Sequence, residues 1–286
     1  MKFPACPTTL TQPERDQFQR DGFLAFTDVL SSSEVATACA TLSELVQRSV
    51  RDADFSFKAG RNAQSKSSRF FVQFEPSQQG IDIHTQSDAE LELRVRKLMW
   101  YCEVSPFFET LATNHPRIRG VVESLLGADP IRFQDMALVK PPFIGTEKPW
   151  HQDNAYFAVT PLEAVLGVWI ALDDALVENG CMHVLVGEHK VGPRKHYHGT
   201  DCEIMPDRLN PQRAVPVELP AGGAMFFAGM LPHQTPPNSS PLRRRALQFH
   251  YRSATSQIVT QDEYDKVYAE PDGTPASCAA ITSSKS

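Results

Sequence analysis

The sequence predicts an α+β fold: a double-stranded β-helix, or jelly roll, with N-terminal helices packed against its major sheet. Capped helical patterns fill residues 1–130, and short β-branched and aromatic runs separated by Pro, Gly and Asn fill 131–252. The length of 286 residues suits one jelly roll with helical additions. We therefore expect one domain over 1–286, with a mainly helical support, a jelly-roll core and a flexible Pro-, Ser- and Thr-rich tail over 270–286.

Capping-box spacings mark where the N-terminal helices begin. The pairs of a hydroxyl residue and a Glu three positions later are Thr11 and Glu14, Ser31 and Glu34, and Ser87 and Glu90. The second pair precedes apolar residues at three- and four-residue steps: Val35, Ala38, Cys39, Leu42, Leu45 and Val46. The third pair precedes a similar pattern at Leu91, Val95, Leu98 and Met99. Each pattern predicts a helix with one apolar face.

The remaining N-terminal elements are shorter. A helix is expected over 118–126, and Gly127 ends it because glycine is the common residue after a helix C-terminus. The polar segment 51–68 is expected to be a mobile loop, and 69–72 is a candidate strand. The apolar faces of these helices need the sheet to bury them, so the change of character near residue 130 marks a change of layer.

Short apolar runs after residue 130 predict the strands of the core. They are 131–139, 165–172, 182–186, 215–219, 224–228 and 246–251. Regular short strands with turn residues between them are typical of a sandwich or barrel.

Composition excludes several classes of protein. A hydrophobic fraction of 41% indicates a globular chain, and the net charge of −6 argues against a nucleic-acid-coating role. Apolar stretches fall far short of the ~20 residues of a membrane helix. The first twenty residues do not form a secretory signal, and the last three, Ser-Lys-Ser, lack the leucine of a peroxisomal ending. We therefore expect a cytoplasmic protein that does not bind membranes.

The cysteines are expected to be free thiols of a reducing compartment, because they are scattered and form no Cys-x-x-Cys pair. They are Cys6, Cys39, Cys102, Cys181, Cys202 and Cys278.

The strongest local signal for chemistry is the sequence Trp-His-Gln-Asp at 150–153. On a strand, residues i and i+2 point to one face, so His151 and Asp153 would present an imidazole and a carboxylate at one point. These are two members of the two-His, one-carboxylate triad of non-haem Fe(II) oxygenases. His-x-Asp alone is weak, because a turn aspartate beside a surface histidine would give the same letters.

A third ligand must come from elsewhere, and His233 is the best candidate. It follows the predicted strand 224–228, at a distance along the chain that a jelly roll needs to bring two strands together. His183 lies in a strand pattern and is expected to be packed. The histidines of a Lys- and Gly-rich loop, expected to be solvated, are His189, His196 and His198.

Arg244 begins a strand with two different faces. Arg244, Ala246, Gln248 and His250 share one face, which we expect to be the polar interior, whereas Leu247, Phe249 and Tyr251 on the other should pack under helices. An inward guanidinium suits a dicarboxylic cosubstrate, because it pairs with a carboxylate through two hydrogen bonds. The alternative is a solvated arginine triplet at 243–245 on a sheet edge.

Taken together, these segments resemble the phytanoyl-CoA hydroxylase (phytanoyl-CoA dioxygenase) family of Fe(II)/2-oxoglutarate oxygenases over most of residues 14–252. The matching segments are FQRDGFL at 18–24, MALVKPP at 136–142, HQD at 151–153, LGVWIALDDA at 166–175, and ENGC at 178–181 leading to GEHK at 187–190. Glu188 stands where the family usually has Ser.

The resemblance implies Fe(II) as the metal, 2-oxoglutarate and O2 as cosubstrates, and ascorbate as an optional reductant. It implies that His151, Asp153 and His233 bind the iron and are the catalytic centre. Residues implied to contact 2-oxoglutarate are Lys97, Met136, Gln152, Trp169, Thr235 and Arg244. Because Asp153 is kept where a related halogenase has a small residue, the resemblance favours hydroxylation or a related oxidation.

The substrate is expected to be a small molecule or an acyl-CoA, and the oligomeric state stays open. An acyl-CoA would need cations at the entrance, for which the candidates are Lys58, Arg61, Lys66, Arg69, Lys190, Arg194 and Lys195. The long segments 51–69 and 190–213 are expected to frame the substrate as lids. Two alternatives remain: a non-catalytic jelly roll that binds metal or dicarboxylate, and a cupin-like metal hydrolase or isomerase, which needs the triad but not Arg244.

Overall fold

The computed structural model describes residues 2–52, 55–58, 62–65, 68–78, 80–199 and 201–278. Its α-helices are α1 Gln12–Asp21, α2 Ser32–Arg51, α3 Asp88–Glu92, α4 Pro106–Asn114, α5 Pro116–Leu126 and α6 Gln261–Val267. The strands up to the middle of the chain are β1 Phe23–Phe26, β2 Phe55–Lys58, β3 Asn62–Ser65, β4 Phe71–Phe74, β5 Val95–Met99, β6 Ile131–Lys140, β7 Lys148–His151, β8 Val159–Thr160 and β9 Val165–Ala171. The later strands are β10 Met182–Val184, β11 His196–His198, β12 Cys202–Ile204, β13 Val215–Val217, β14 Ala224–Ala228, β15 His233–Thr235, β16 Arg244–Arg252 and β17 Gln257–Ile258.

Two antiparallel sheets form the jelly roll. The major sheet has the strand order β1-β14-β9-β16-β6-β5-β4-β3-β2, and the minor sheet has the order β13-β10-β15-β7. Apolar residues of both sheets, including Trp169 and Ala246 of the major sheet and Met182 and Val217 of the minor sheet, pack into one buried cluster between them. The predicted jelly-roll core is therefore confirmed.

The N-terminal helices cover the other face of the major sheet, as predicted. The apolar face of α2 is buried at Leu42 and Leu45, and these residues belong to one apolar cluster with Leu247 and Phe249 of β16. Each fully buried side chain of this size contributes about 1.5–3 kcal/mol. Tyr251, on the same face, donates from its hydroxyl to the Ala112 carbonyl of α4 at 2.7 Å. That the whole chain is one domain stays a prediction.

Capping explains where these helices begin and end. Ser31 accepts the backbone N–H of Glu34, and the Glu34 carboxylate in turn accepts the N–H of Ser31 at 2.8 Å. The expected capping boxes at the starts of α1 and α3 also form. Helix α5 ends as predicted at Gly127, whose φ of 88° lies in the left-handed region that favours glycine.

Two expectations for the N-terminal half were wrong. The third helix stops at Glu92, and Val95–Met99 forms strand β5, which pairs with β4 and β6. In so short a run, the apolar spacing fits both the helical and the strand period. Backbone pairing with the two neighbouring strands decided the outcome. The segment 51–68 contains the paired strands β2 and β3, although residues 53–54, 59–61 and 66–67 lie outside the described residues. The residues described up to position 130 therefore supply five strands to the major sheet besides their helices.

The C-terminal segment also differs from expectation. Cys278 is buried and forms a disulfide with Cys202, so the expectation of free thiols was wrong for this pair. Such a contact joins segments 76 residues apart and leaves no local pattern in the sequence. The Ala276 carbonyl accepts the His196 N–H, and the Cys278 N–H donates to the Ala155 carbonyl, so residues 276–278 pack against the fold. The rest of the predicted flexible tail, 279–286, lies outside the described residues.

Candidate metal centre

Two histidines face each other on adjacent strands of the minor sheet. His151 of β7 and His233 of β15 are directly paired in register, and their ring centroids are 4.2 Å apart. The Nδ1 atom of each ring lies 2.8–2.9 Å from the carbonyl oxygen two residues earlier, at Pro149 and Leu231. Because a carbonyl can only accept, each Nδ1 carries the proton and each Nε2 keeps a free lone pair. Both imidazoles are thus in the tautomer that binds a metal through Nε2.

Asp153 completes the group, but not by strand alternation. Strand β7 ends at His151, and Asp153 opens a 3-10 helix, Asp153–Tyr156. The Asp153 Oδ1 atom lies 3.3 Å from His151 Nε2 and 3.7 Å from His233 Nε2. The backbone N–H of Asn154 donates to the Gly229 carbonyl at 3.1 Å and fixes this turn. A Cβ on residue 229 would come within 2.0 Å of the Asn154 side chain, so the close approach requires glycine.

The geometry and the electrostatics of this group suit a divalent cation. The three ligand atoms lie within 4.8 Å of one another, and all three residues are buried. Burial lowers the pKa of His233 to about 3, so its ring stays neutral. Burial by itself raises the pKa of Asp153, but the neighbouring His250 outweighs it, and that pKa lies well below its ordinary value.

A cavity of about 180 Å³ opens beside this group, between the two sheets. Arg244 lines it and is fully buried, yet its closest hydrogen bond, to the Leu138 carbonyl, is 3.5 Å long and its Nε has no partner. No carboxylate among the described residues forms an ion pair with it. Burial lowers the pKa of Arg244 to about 10, which still leaves it charged at neutral pH. A buried cation without a counterion calls for an anionic ligand, because an unpaired charge in a dry site is costly.

A second buried basic side chain lies directly across from Arg244. Lys140 of β6 is its register partner on the neighbouring strand, and the Lys140 side-chain nitrogen donates to the carbonyl oxygens of Thr146 and Thr235. Burial, with the positive charge of Arg244 next in importance, lowers the pKa of Lys140 well below its ordinary value. Lys140 therefore adds a hydrogen-bonded amine at this end of the cavity, whereas Arg244 supplies its positive charge.

Most of the residues expected from the sequence to hold the cosubstrate line this cavity. Lys97, Met136, Thr235 and Arg244 do so together with the three metal-ligand candidates. Lys97 reaches it from strand β5 and not from the end of a helix as expected. Its neighbour in register, Leu138, lies on the same wall.

Gln152 and Trp169 are not among the lining residues, contrary to expectation. The Gln152 amide donates to the carbonyls of Gly192 and Met230, and its oxygen accepts from the Arg194 N–H and the Tyr268 hydroxyl. All its hydrogen-bonding capacity is thus used to hold the surrounding segments. Trp169 lies behind Arg244, with its ring centroid 5.4 Å from the guanidinium carbon.

Other polar residues of the site were missed. Lys148, Tyr156 and Asp201 line the cavity: the Lys148 ammonium lies 2.8 Å from Asp201 Oδ1, and the Tyr156 hydroxyl donates to the same oxygen at 3.2 Å. His196, expected to be solvated, is fully buried and accepts the Gln152 N–H through Nε2 at 3.1 Å. Its burial depends on contacts distant in sequence, such as the one between its N–H and the Ala276 carbonyl.

The predicted lids contribute unequally. Segment 190–213 supplies Asp201 to the cavity, whereas Arg51, Asp52, Ser68 and Arg69 of the first segment do not line it. Arg69 pairs with Glu103, and Arg194 pairs with Glu188, so these two cations are already engaged. Within the described ranges, no helix is both long and apolar enough to cross a bilayer.

Comparisons with known proteins agree with this geometry. The sequence model of the family described as phytanoyl-CoA dioxygenase (PhyH) matches residues 18–246. Phytanoyl-CoA dioxygenase domain-containing protein 1 of Danio rerio is 25% identical over 278 residues, covering 89% of this chain and 94% of its own. Phytanoyl-CoA dioxygenase 1 of Oryza sativa subsp. japonica is 28% identical, covering 85% and 89%.

Solved structures agree as well. EvdO2 from Micromonospora carbonacea var. aurantiaca, complexed with 2-oxoglutarate, has a TM-score of 0.62 and 26% identity, covering 91% of this chain and 96% of its own. EctD from S. alaskensis with bound Fe has a TM-score of 0.65 at 21% identity, covering 88% and 79%, and so shares the fold. The chain therefore belongs to the phytanoyl-CoA dioxygenase family, and it is a non-haem iron dioxygenase that depends on 2-oxoglutarate.

Proposed function

We propose that this protein hydroxylates, or otherwise oxidises, an aliphatic C–H bond of a small-molecule or acyl-CoA substrate and releases succinate and CO2. The observation that carries the proposal is that three metal-ligand candidates and an unpaired, buried arginine line one cavity. A hydrolase or isomerase of the same fold would need the metal ligands but not the arginine.

The residues present fit both groups. His151, Asp153 and His233 would hold iron, since two imidazoles and one carboxylate are the ligand set typical of non-haem Fe(II) oxygenases. Arg244, helped by Thr235, would pair with the distal carboxylate of 2-oxoglutarate. Bound iron, with 2-oxoglutarate and O2, supplies the oxidant for the C–H bond, and the cosubstrate leaves as succinate and CO2.

The chain itself positions the reactants and limits water. Each histidine ligand is oriented by a backbone carbonyl, so its free nitrogen needs no reorganisation when metal binds. Met136, Leu138 and Met182 add apolar side chains to the wall of the cavity that Arg244 and the metal-ligand candidates share. An apolar wall strengthens the pairing of Arg244 with a carboxylate, because charges attract more strongly where water is excluded. Asp153 keeps its carboxylate at the metal, which supports hydroxylation over halogenation.

Turnover of 2-oxoglutarate tests the proposal directly. Purified protein would be supplied with Fe(II), 2-oxoglutarate, ascorbate and O2, with and without candidate acyl-CoA and small polar substrates, and succinate would be measured. We expect slow succinate formation without a substrate and faster formation with a true substrate. With ¹⁸O2, succinate and the hydroxylated product should each carry one ¹⁸O atom. Asp153→Ala should abolish the signal, and His183→Ala, at a histidine outside the cavity, should not. A flat trace in iron-loaded protein would favour a binding module.

A further inference from the structure

The two oxygens of the Asp153 carboxylate have different surroundings. Oδ1 faces the metal-ligand nitrogens of His151 and His233. Oδ2 points away from them and lies 2.7 Å from Nε2 of His250, on strand β16 of the major sheet. We propose that His250 is a positioning residue, which holds the outer oxygen of Asp153 so that the inner oxygen alone faces the metal. The inference rests on the proposed function, because it assumes that Asp153 is an iron ligand.

The chemistry of the contact determines which atom donates. An ionised carboxylate can only accept, and two acceptors 2.7 Å apart would repel each other, so Nε2 of His250 must carry the proton. A hydrogen bond to an ionised acceptor is among the stronger ones in proteins. The Gln248 amide nitrogen lies 3.4 Å from the same oxygen and 3.0 Å from Nε2 of His250, so two N–H groups converge on Oδ2. Of these, the His250 contact is clearly the shorter.

Packing, and not a second hydrogen bond, sets the orientation of the His250 ring. The residue is fully buried, and its Nδ1 has no hydrogen-bond partner. Its ring packs against one side of a pair of phenyl rings, at 4.9 Å between centroids from Phe157 and 6.2 Å from Phe133. If this residue only filled the core, an apolar side chain would do so without leaving a buried nitrogen unpaired. Here the two phenyl rings direct the other nitrogen at Asp153.

The consequence for the metal is a more ordered ligand. Asp153 belongs to a short 3-10 turn, so its side chain is not fixed by strand pairing as the two histidines are. Without the His250 N–H, the carboxylate can rotate about its terminal bond and present either oxygen, and the remaining Gln248 contact is long. Groups that orient a metal ligand in this way typically change metal affinity 10–100-fold when they are removed.

The test measures metal affinity, and it compares two replacements of His250. His250→Phe keeps the ring volume and removes the N–H, whereas His250→Gln keeps an N–H at about the same reach. Tyr251→Phe is the matched control, because it removes one buried hydrogen bond from the opposite face of the same strand. The dissociation constants of the metals would be measured by titrating the apoprotein with Co(II) and, anaerobically, with Fe(II). The visible spectrum of the Co(II) form would also be recorded.

We expect His250→Phe to weaken Co(II) binding by about 10–100-fold and to change the Co(II) spectrum, and His250→Gln to restore most of both. Tyr251→Phe should leave both unchanged. If His250→Phe does not fold, His250→Asn, whose amide is too short to reach, takes its place in the comparison with His250→Gln. Wild-type affinity and spectrum in the Phe or Asn variant would overturn the inference. Wild-type protein that binds neither metal would overturn the proposed function as well, so the two failures are distinguishable.

Discussion

Removing the guanidinium of Arg244 should weaken the binding of 2-oxoglutarate and leave the binding of iron unchanged. Arg244 is fully buried, and its only hydrogen bond within the described part of the chain, to the Leu138 carbonyl, is long. Its donors are therefore available for a ligand. A carboxylate bound by two of them gains two charge-assisted hydrogen bonds of about 1.5–3 kcal/mol each. The sum of about 3–6 kcal/mol corresponds to a factor of about 10²–10⁴ in affinity.

Part of this factor is offset by the rest of the site. Lys140 and Thr235 remain at the same end of the cavity, and the variant no longer has to bury an unpaired guanidinium. We therefore expect Arg244→Met to raise the KM for 2-oxoglutarate by about 100-fold, the lower end of that range. Arg244→Lys should lie in between, because it keeps the charge but not the planar pair of donors.

The assay is succinate formation at varied 2-oxoglutarate, together with an anaerobic Fe(II) titration. The matched control is Arg243→Met, because Arg243 pairs with Glu92 and does not line the cavity. We expect the control to keep the wild-type KM, and all variants to keep the wild-type Fe(II) affinity. If Arg244→Met loses iron as well, or if its KM stays within a few-fold of wild type, the role assigned to Arg244 is wrong.

Three further predictions follow from the same structure. Asp153→Ala and His233→Ala should each lose Fe(II) binding in equilibrium titration, and retained wild-type affinity in either would contradict the triad. Burial lowers the pKa of His196 to about 3, so the unfolded chain binds a proton near pH 6.5 that the folded protein excludes. His196 alone should lower the free energy of unfolding of the apoprotein by about 2 kcal/mol between pH 7 and pH 5, in addition to a similar contribution from His233. His196→Asn should remove its share of that dependence in denaturant titrations, and curves parallel to wild type would contradict the prediction. Leu45→Ala, in the core under the major sheet, should cost about 2–5 kcal/mol of unfolding free energy with an unchanged KM for 2-oxoglutarate, and equal stability would contradict the packing of α2.

The sequence could predict elements whose signals are local. Capping boxes at Ser31 and Thr11 mark helix starts because both partners lie within one turn. Strand alternation in β16 separated Arg244 and His250 on one face from Leu247 and Phe249 on the other, and the structure has both faces as expected. Where helix and strand periods both fit a short run, as in Val95–Met99, the partner strands decided, and those are not adjacent in sequence.

The site shows the same division. The positions of His151 and Asp153 suggested a shared metal, and they do converge, although through a turn after the strand. Their ligand roles stay predictions. The sequence did not indicate which groups support these site residues. They include the carbonyls that fix the histidine tautomers and the C-terminal residue Ala276, which helps to bury His196. These contacts depend on where separate segments meet.

The origin of the site residues explains why the cavity is both polar and buried. The metal-ligand histidines come from the minor sheet, whereas Arg244 and His250 come from one strand of the major sheet. The opposite face of that strand carries Phe249 in the apolar core under the helices. Because side chains alternate along a strand, the packing that holds Phe249 also fixes the direction of its neighbours Gln248 and His250. Helix packing on one side of the sheet thereby sets the geometry of the chemistry on the other.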